Sequence, residues 1–150
     1  MPRQVTFAVH GTPAPQGSKR GFINRHTGRV QMVESSEKVR PWRQAVIAAA
    51  LDSLNGDAPF DGPVAIWLRF AMPRPKGHYG TGRNAGKLKD SAPAFPAVRP
   101  DLDKLARSTL DGLEDAGLIL ADAQIVTLRV EKRYTTVGPR CDVIVRGEVE

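Results

Sequence analysis

Three aspartates and one arginine carry the chemistry this chain can offer. Asp101 and Asp103 stand one residue apart in R-P-D-L-D-K-L-A-R, Arg107 closes that run, and Asp122 opens D-A-Q-I-V further on. Carboxylates that converge repel one another, and they relieve the repulsion by holding a proton or a hard cation. Oxygen-only ligands with room for water suit Mg²⁺ or Mn²⁺. A guanidinium beside such a cation suits phosphodiester hydrolysis, in which water is activated and both charges stabilise the phosphate. A lone D-x-D has a plainer explanation, with Asp103 capping a helix and Asp101 in solvent. The third aspartate, the neighbouring arginine and the basic character of the rest of the chain favour a site.

Positioning these side chains takes a loop, a helix, a turn and a strand. Leu102, Leu105, Ala106, Thr109 and Leu113 recur at the 3.6-residue period, which predicts a helix with a core-facing stripe just after Pro100. Asp103, Arg107 and Asp111 fall four apart on the other side, with Lys104 beside them. Gly117 is placed to end the helix. Leu118 to Leu120 form a short apolar run that leads to Asp122. The period then changes to two, with Val126, Leu128 and Val130 on one face of a strand. Helix plus turn make a return path, so Asp122 is expected beside the helix start.

P-D-L-D-K-L-A-R-S-T-L-D-G-L, followed by D-A-Q-I-V and a strand ending K-R-Y, resembles the RusA family of Holliday junction resolvases. These are small, homodimeric, Mg²⁺-dependent endonucleases common in phages and prophages. The resemblance covers the last third of the chain closely. It implies that Asp101 and Asp103 are the paired metal-binding acids, that Asp122 is the third, and that Arg107 takes the place of a catalytic lysine. Two departures stand out: Lys104 replaces an asparagine, and Ala121 replaces the first acid of a D-D pair. Arginine does not release its proton and holds phosphate in a planar fork. Arg107 therefore reads as a phosphate clamp, with Lys104 as the alternative cation. The resemblance further implies a RusA-like single domain over residues 1–150, a branched DNA substrate such as a four-way junction, a homodimer, and the cytoplasm of a bacterial host. The alternative is a catalytically weak or inactive junction-binding protein that uses the same basic surface. A basic protein that coats nucleic acid, its acids serving as helix caps, is a further rival.

Composition narrows the classes. A chain of 150 residues is expected to form one domain burying about 70% of its unfolded surface. A net charge of +6 and a pI near 9.9 favour a polyanionic partner, nucleic acid ahead of membrane. No apolar run reaches the roughly 18 residues of a membrane span. The start, M-P-R-Q-V-T-F-A-V-H-G, alternates like a strand and lacks the apolar core of a signal peptide. The lone Cys141 excludes an internal disulfide and a cysteine zinc cluster. Its alternation with Val143 and Val145 marks a buried strand position. His10, His26 and His78 show no metal spacing.

The remaining segments complete an α+β fold. Val5, Phe7 and Val9 alternate in a first strand. A Gly- and Pro-rich segment follows, with a hairpin tip at N-R-H-T-G-R, and its Lys19, Arg20, Arg25 and Arg29 are candidates to meet phosphates. Ser35 or Ser36 is placed to cap a helix running to about Leu54, with Trp42, Ala45, Val46, Ala49 and Ala50 on its apolar face. A strand runs from Val64 to about Met72. Between Pro73 and Pro100 lie Arg74, Lys76, Arg83, Lys87, Lys89 and Arg99 against Asp90 alone, a net +5. A loop this long is functional or disordered, and a flexible DNA-binding loop is expected, with His78 and Tyr79 able to stack on a base. G-H-Y-G-T-G-R-N lacks the strand and helix of a nucleotide-binding fingerprint, so no nucleotide cofactor is expected. Lys132 and Arg133 read equally well as phosphate contacts or strand-end charges. Cys141 to Val145 is expected to return as hairpin partner of the strand before it. The sum is a mixed or antiparallel sheet with two main helices.

Overall fold

Alternating apolar residues in four segments build one mixed sheet. The computed structural model describes residues 2–17, 19–34 and 37–148, and of residues 19–22 and 31–34 the backbone alone. In chain order the elements are β1 (Gln4–His10), β2 (Lys19–Ile23), β3 (Val30–Glu34), α1 (Val39–Leu54), β4 (Val64–Pro73), α2 (Leu102–Asp115), β5 (Ile125–Thr135) and β6 (Arg140–Gly147). The sheet order is β1-β6-β4-β5, with β6 antiparallel to both neighbours and β5 parallel to β4. Strands β2 and β3 form a separate antiparallel pair. Parallel neighbours need a long crossover, and the chain from β4 through α2 supplies it. The α+β class and the two main helices are as the sequence predicts.

One pairing differs from expectation. Strand β6 is no hairpin partner of β5; it lies between β1 and β4. Burial explains the exchange. Cys141, Val143 and Val145 are fully buried and fill a central position, whereas residues 126–129 of β5 are exposed and suit an edge. Burial also pushes the Cys141 thiol up, so it stays protonated and inert.

Ile66, Leu68 and Phe70 of β4 pack in one core with Trp42, Val46 and Ala50 of α1 and with Leu105 and Leu113 of α2. The two helices approach closely because Gly112 has no side chain: a Cβ there would lie 2.7 Å from Val46 Cγ1. The indole of Trp42 donates to Thr109 Oγ1 at 3.1 Å, and that hydroxyl donates to the Leu105 carbonyl at 2.9 Å. A buried polar group therefore locks α1 to α2 with its hydrogen bonds satisfied. Helix α1 starts at Val39, later than a cap at Ser35 or Ser36 would give, and those serines lie outside the described residues. Pro41 falls in its first turn, where a missing N–H costs no helical bond.

The segment from Pro73 to Pro100 carries more order than a flexible loop. Short 3₁₀ turns form at Lys76–His78 and Gly82–Asn84, and a bridge joins Tyr79 to Leu88. Arg74 ties it inward, donating to the Pro93 carbonyl at 2.8 Å and lying 4.4 Å over the Tyr134 ring.

Candidate active site

Helix α2 sets out the acids along its exposed side. Asp101 holds the N-cap position with an extended backbone, and its carboxylate lies 3.5 Å from Lys104 Nζ. Asp103 is exposed in the first turn, and Arg107 is exposed one turn later. The stretch before Asp101 is held from the sheet: Lys132 Nζ donates to the carbonyls of Val98 at 2.6 Å and Pro100 at 2.8 Å. Lys132 is thus an internal anchor. Arg133 pairs with Glu131 at 3.3 Å and lies 5.1 Å over Phe95, a strand-end role.

At the far end of α2, Gly117 takes a positive φ and stops the helix. Leu118 and Ile119 then bury themselves, with the Phe60 N–H donating to the Leu118 carbonyl at 2.9 Å. Asp122 emerges on a 3₁₀ turn, Asp122–Gln124. Gln124 fixes that turn. Its Oε1 accepts from the N–H groups of Leu120 at 2.6 Å and Ala121 at 2.9 Å. Its Nε2 donates to the carbonyls of Phe60 at 2.8 Å and Gly62 at 2.9 Å.

Asp122 therefore does not return to the helix start. Its carboxylate meets those of Asp111 and Glu114, with one oxygen from each within 4.8 Å of the others. Eight residues of helix, about 12 Å of rise, separate Asp103 from Asp111. Within the chain the acids form two groups, Asp101 with Asp103 at one end of α2, and Asp122 with Asp111 and Glu114 at the other. The buried Leu118 and Ile119 cause this, because they pin the turn beneath the C-terminal end of the helix. Among the described residues, the Asp122 group is the one trio of potential ligands gathered so closely.

The electrostatics of that group suit a cation. Burial raises the Asp111 pKa; Arg43, 3.7 Å away, opposes it, and Asp122 and Asp115 add to it. The Asp122 carboxylate is the main cause of a raised Glu114 pKa, followed by desolvation. Three oxygen donors whose charges repel fit a divalent ion with oxygen preference.

Further basic residues lie exposed on two other segments of the chain. Lys76, Arg83, Lys87 and Lys89 are exposed on the 73–100 segment, and Arg25 and Arg29 on the β2–β3 turn. Arg74 serves the fold, and Lys104 is engaged with Asp101. The side chains of Lys19 and Arg20 lie outside the described residues. His78 is committed edge-on to Tyr134, with ring centres 5.3 Å apart.

A family model described as Endodeoxyribonuclease RusA matches residues 11–146, from the end of β1 almost to the end of β6. The chain belongs to the RusA family. No curated protein matches it at a significant level. RusA membership makes it one of a family of endodeoxyribonucleases, and extends to nearly the whole chain a likeness that its sequence carries most visibly in the last third. Among the described residues no helix is long and apolar enough to cross a membrane. Sequence reasoning missed Asp111 and Glu114 as companions of Asp122, and Gln124 as the residue that holds them together. A signal existed for the helix pair, since Asp103, Arg107, Asp111 and Glu114 follow one another at three- and four-residue steps.

Proposed function

We infer that the chain is a homodimeric, metal-dependent endonuclease that cuts four-way DNA junctions and related branches. The observation that carries this is the acid-lined outer side of α2 in a RusA chain, with Asp101 and Asp103 at one end and Asp122 at the other. Asp101, Asp103 and Asp122 would hold Mg²⁺ or Mn²⁺, with Asp111 and Glu114 beside Asp122. A bound divalent ion supplies positive charge at the scissile phosphate and an acidified water. Arg107 grips the phosphate through its planar fork and stays protonated throughout, so it acts by charge and orientation. Exposed Lys76, Arg83, Lys87 and Lys89 hold the DNA backbone, with Lys19 and Arg20 as further contacts.

The dimer answers the separation of the acids. A two-fold axis across the middle of α2 would set one protomer's Asp122 beside its partner's Asp101 and Asp103, with both Arg107 side chains near the axis. Two identical centres could then nick opposite strands symmetrically. Strand β5 supports such a contact, because among the described residues it pairs on one side only and carries exposed Val126 and Leu128, with exposed Leu120 nearby in sequence. A copy laid against that edge would cover apolar surface.

A labelled four-way junction incubated with Mg²⁺ or EDTA tests the reading. The parent protein should nick opposite strands with Mg²⁺ alone, and Asp103→Asn and Asp122→Asn should each abolish the cut while still binding. The Lys104 ammonium beside Asp101 motivates a second reading, an inactive junction-binding protein with an internal cation at half of its site. Tight junction binding without cleavage by the parent in Mg²⁺ or Mn²⁺ would establish that second reading.

A further inference from the structure

Beside Asp101 lies a cavity of about 660 Å³ that the proposed chemistry leaves unused. Pockets of ~300–1,000 Å³ are the size that holds small organic ligands. The floor is Met72 and Tyr134, at the ends of β4 and β5, and the walls are residues 12–17 and 96–101. Pro13, Pro15, Pro75 and Pro96 line it, stiff rings without N–H donors. Both walls are fixed before any ligand arrives. Ser108 Oγ donates to the Ala14 carbonyl at 2.6 Å, and the Gln16 N–H donates to the Lys104 carbonyl at 3.0 Å. The opposite wall is held by Lys132.

Charge points to the occupant. Lys38, Arg99, Lys104 and Lys132 lie around the cavity against one acid, Asp101. Lys132 and Lys104 are engaged, but Lys38 and Arg99 make no ion pair among the described residues and are exposed. An apolar slot with an aromatic floor and a cationic mouth matches a nucleic-acid base that trails its own phosphates. Drawing a base out of a duplex costs a few kcal/mol of pairing and stacking, and the cost is smaller at a branch point, where the stack is already interrupted.

We propose that this cavity takes up one unpaired base of the branched strand, beside the phosphate presented to Asp101. The proposal rests on the nuclease reading above and adds the means by which the protein tells a branch from a duplex. Uptake of the base brings its backbone past Arg99 and Lys104 to the start of α2.

Binding is measured on four-way junctions with a single abasic site moved along each strand near the branch, in EDTA so that nothing is cut. One position should lose about tenfold in affinity. Val98→Trp, which puts an indole into the mouth from an exposed position, should erase that position dependence and leave duplex affinity unchanged. Thr12→Trp does the same from the other wall if the first variant does not fold. A flat abasic profile, or a sensitive position that survives both tryptophans, overturns the proposal. If the flat profile comes with Mg²⁺-dependent junction cleavage, the cavity fails and the nuclease reading stands. Equal affinity for junction and duplex removes both.

Discussion

Gln124 Nε2 donates to the Phe60 carbonyl at 2.8 Å, which joins the turn carrying Asp122 to the chain that leads into β4. With its three other hydrogen bonds, this side chain ties down backbone groups on both sides. Gln124→Ala leaves those groups without a partner and should cost about 1–3 kcal/mol in chemical denaturation. Divalent-cation affinity should fall along with stability. Unchanged cation affinity in a clearly destabilised variant would separate the turn from the site.

Crowding of Asp111, Glu114 and Asp122 has a pH signature. The folded pKa values of Asp111 and Glu114 are raised. Stability from these two groups is thus complete below their unfolded values, about 4, and is lost as pH rises through the folded ones. Asp122→Asn removes a common source of repulsion. In EDTA at pH 7 the variant should melt higher than the parent, and the gap should close as pH falls towards 4. Added Mn²⁺ should raise the melting temperature of the parent more than that of the variant. A parent that ignores the cation at every pH would argue against a metal at this end of α2.

Arg107 stands exposed on α2 between the two groups of acids and makes no ion pair among the described residues. Arg107→Ala should lower junction cleavage about a hundredfold or more, the scale of one lost transition-state charge contact. Arg107→Lys should recover part of it, since a point charge replaces a fork. Near-parental cleavage by the alanine variant would transfer the role to Lys104.

Gly112 is needed for packing. Gly112→Ala drives a methyl group to within 2.7 Å of Val46. Overpacking of about 1–3 kcal/mol exceeds the roughly 1 kcal/mol gained in helix propensity. Thermal and urea denaturation should show a net loss, with junction binding retained at low temperature. A variant as stable as the parent would mean that α1 slides to make room.

Lys87 and Lys89 lie exposed on the 73–100 segment, which runs directly into Asp101. Replacing both with alanine should weaken DNA binding and reduce the slope of log affinity against log salt by roughly two. An unchanged slope would place the DNA elsewhere on the basic surface.

Much of this molecule can be read from residue order. The period change between Leu113 and Val126 locates a helix and a strand, and Gly117 marks the stop between them. Strand β6 could not be placed that way, because Cys141, Val143 and Val145 fit a hairpin or a central strand equally; only burial on both sides decides. The same holds for Asp122. Its identity was evident from D-A-Q, but its location depends on Leu118 and Ile119 being buried near Phe60, a long-range contact that no local pattern encodes. Lys132 is a comparable case, a charge whose partners are carbonyls brought near by the crossover.

The two ends of α2 each hold part of the acid set, and on the proposed reading neither part suffices alone. A newly made polypeptide that meets chromosomal DNA before finding its twin would then be harmless. Cutting would rise with the square of protein concentration in dilute solution, so the distance along one helix would act as a safeguard against stray breaks.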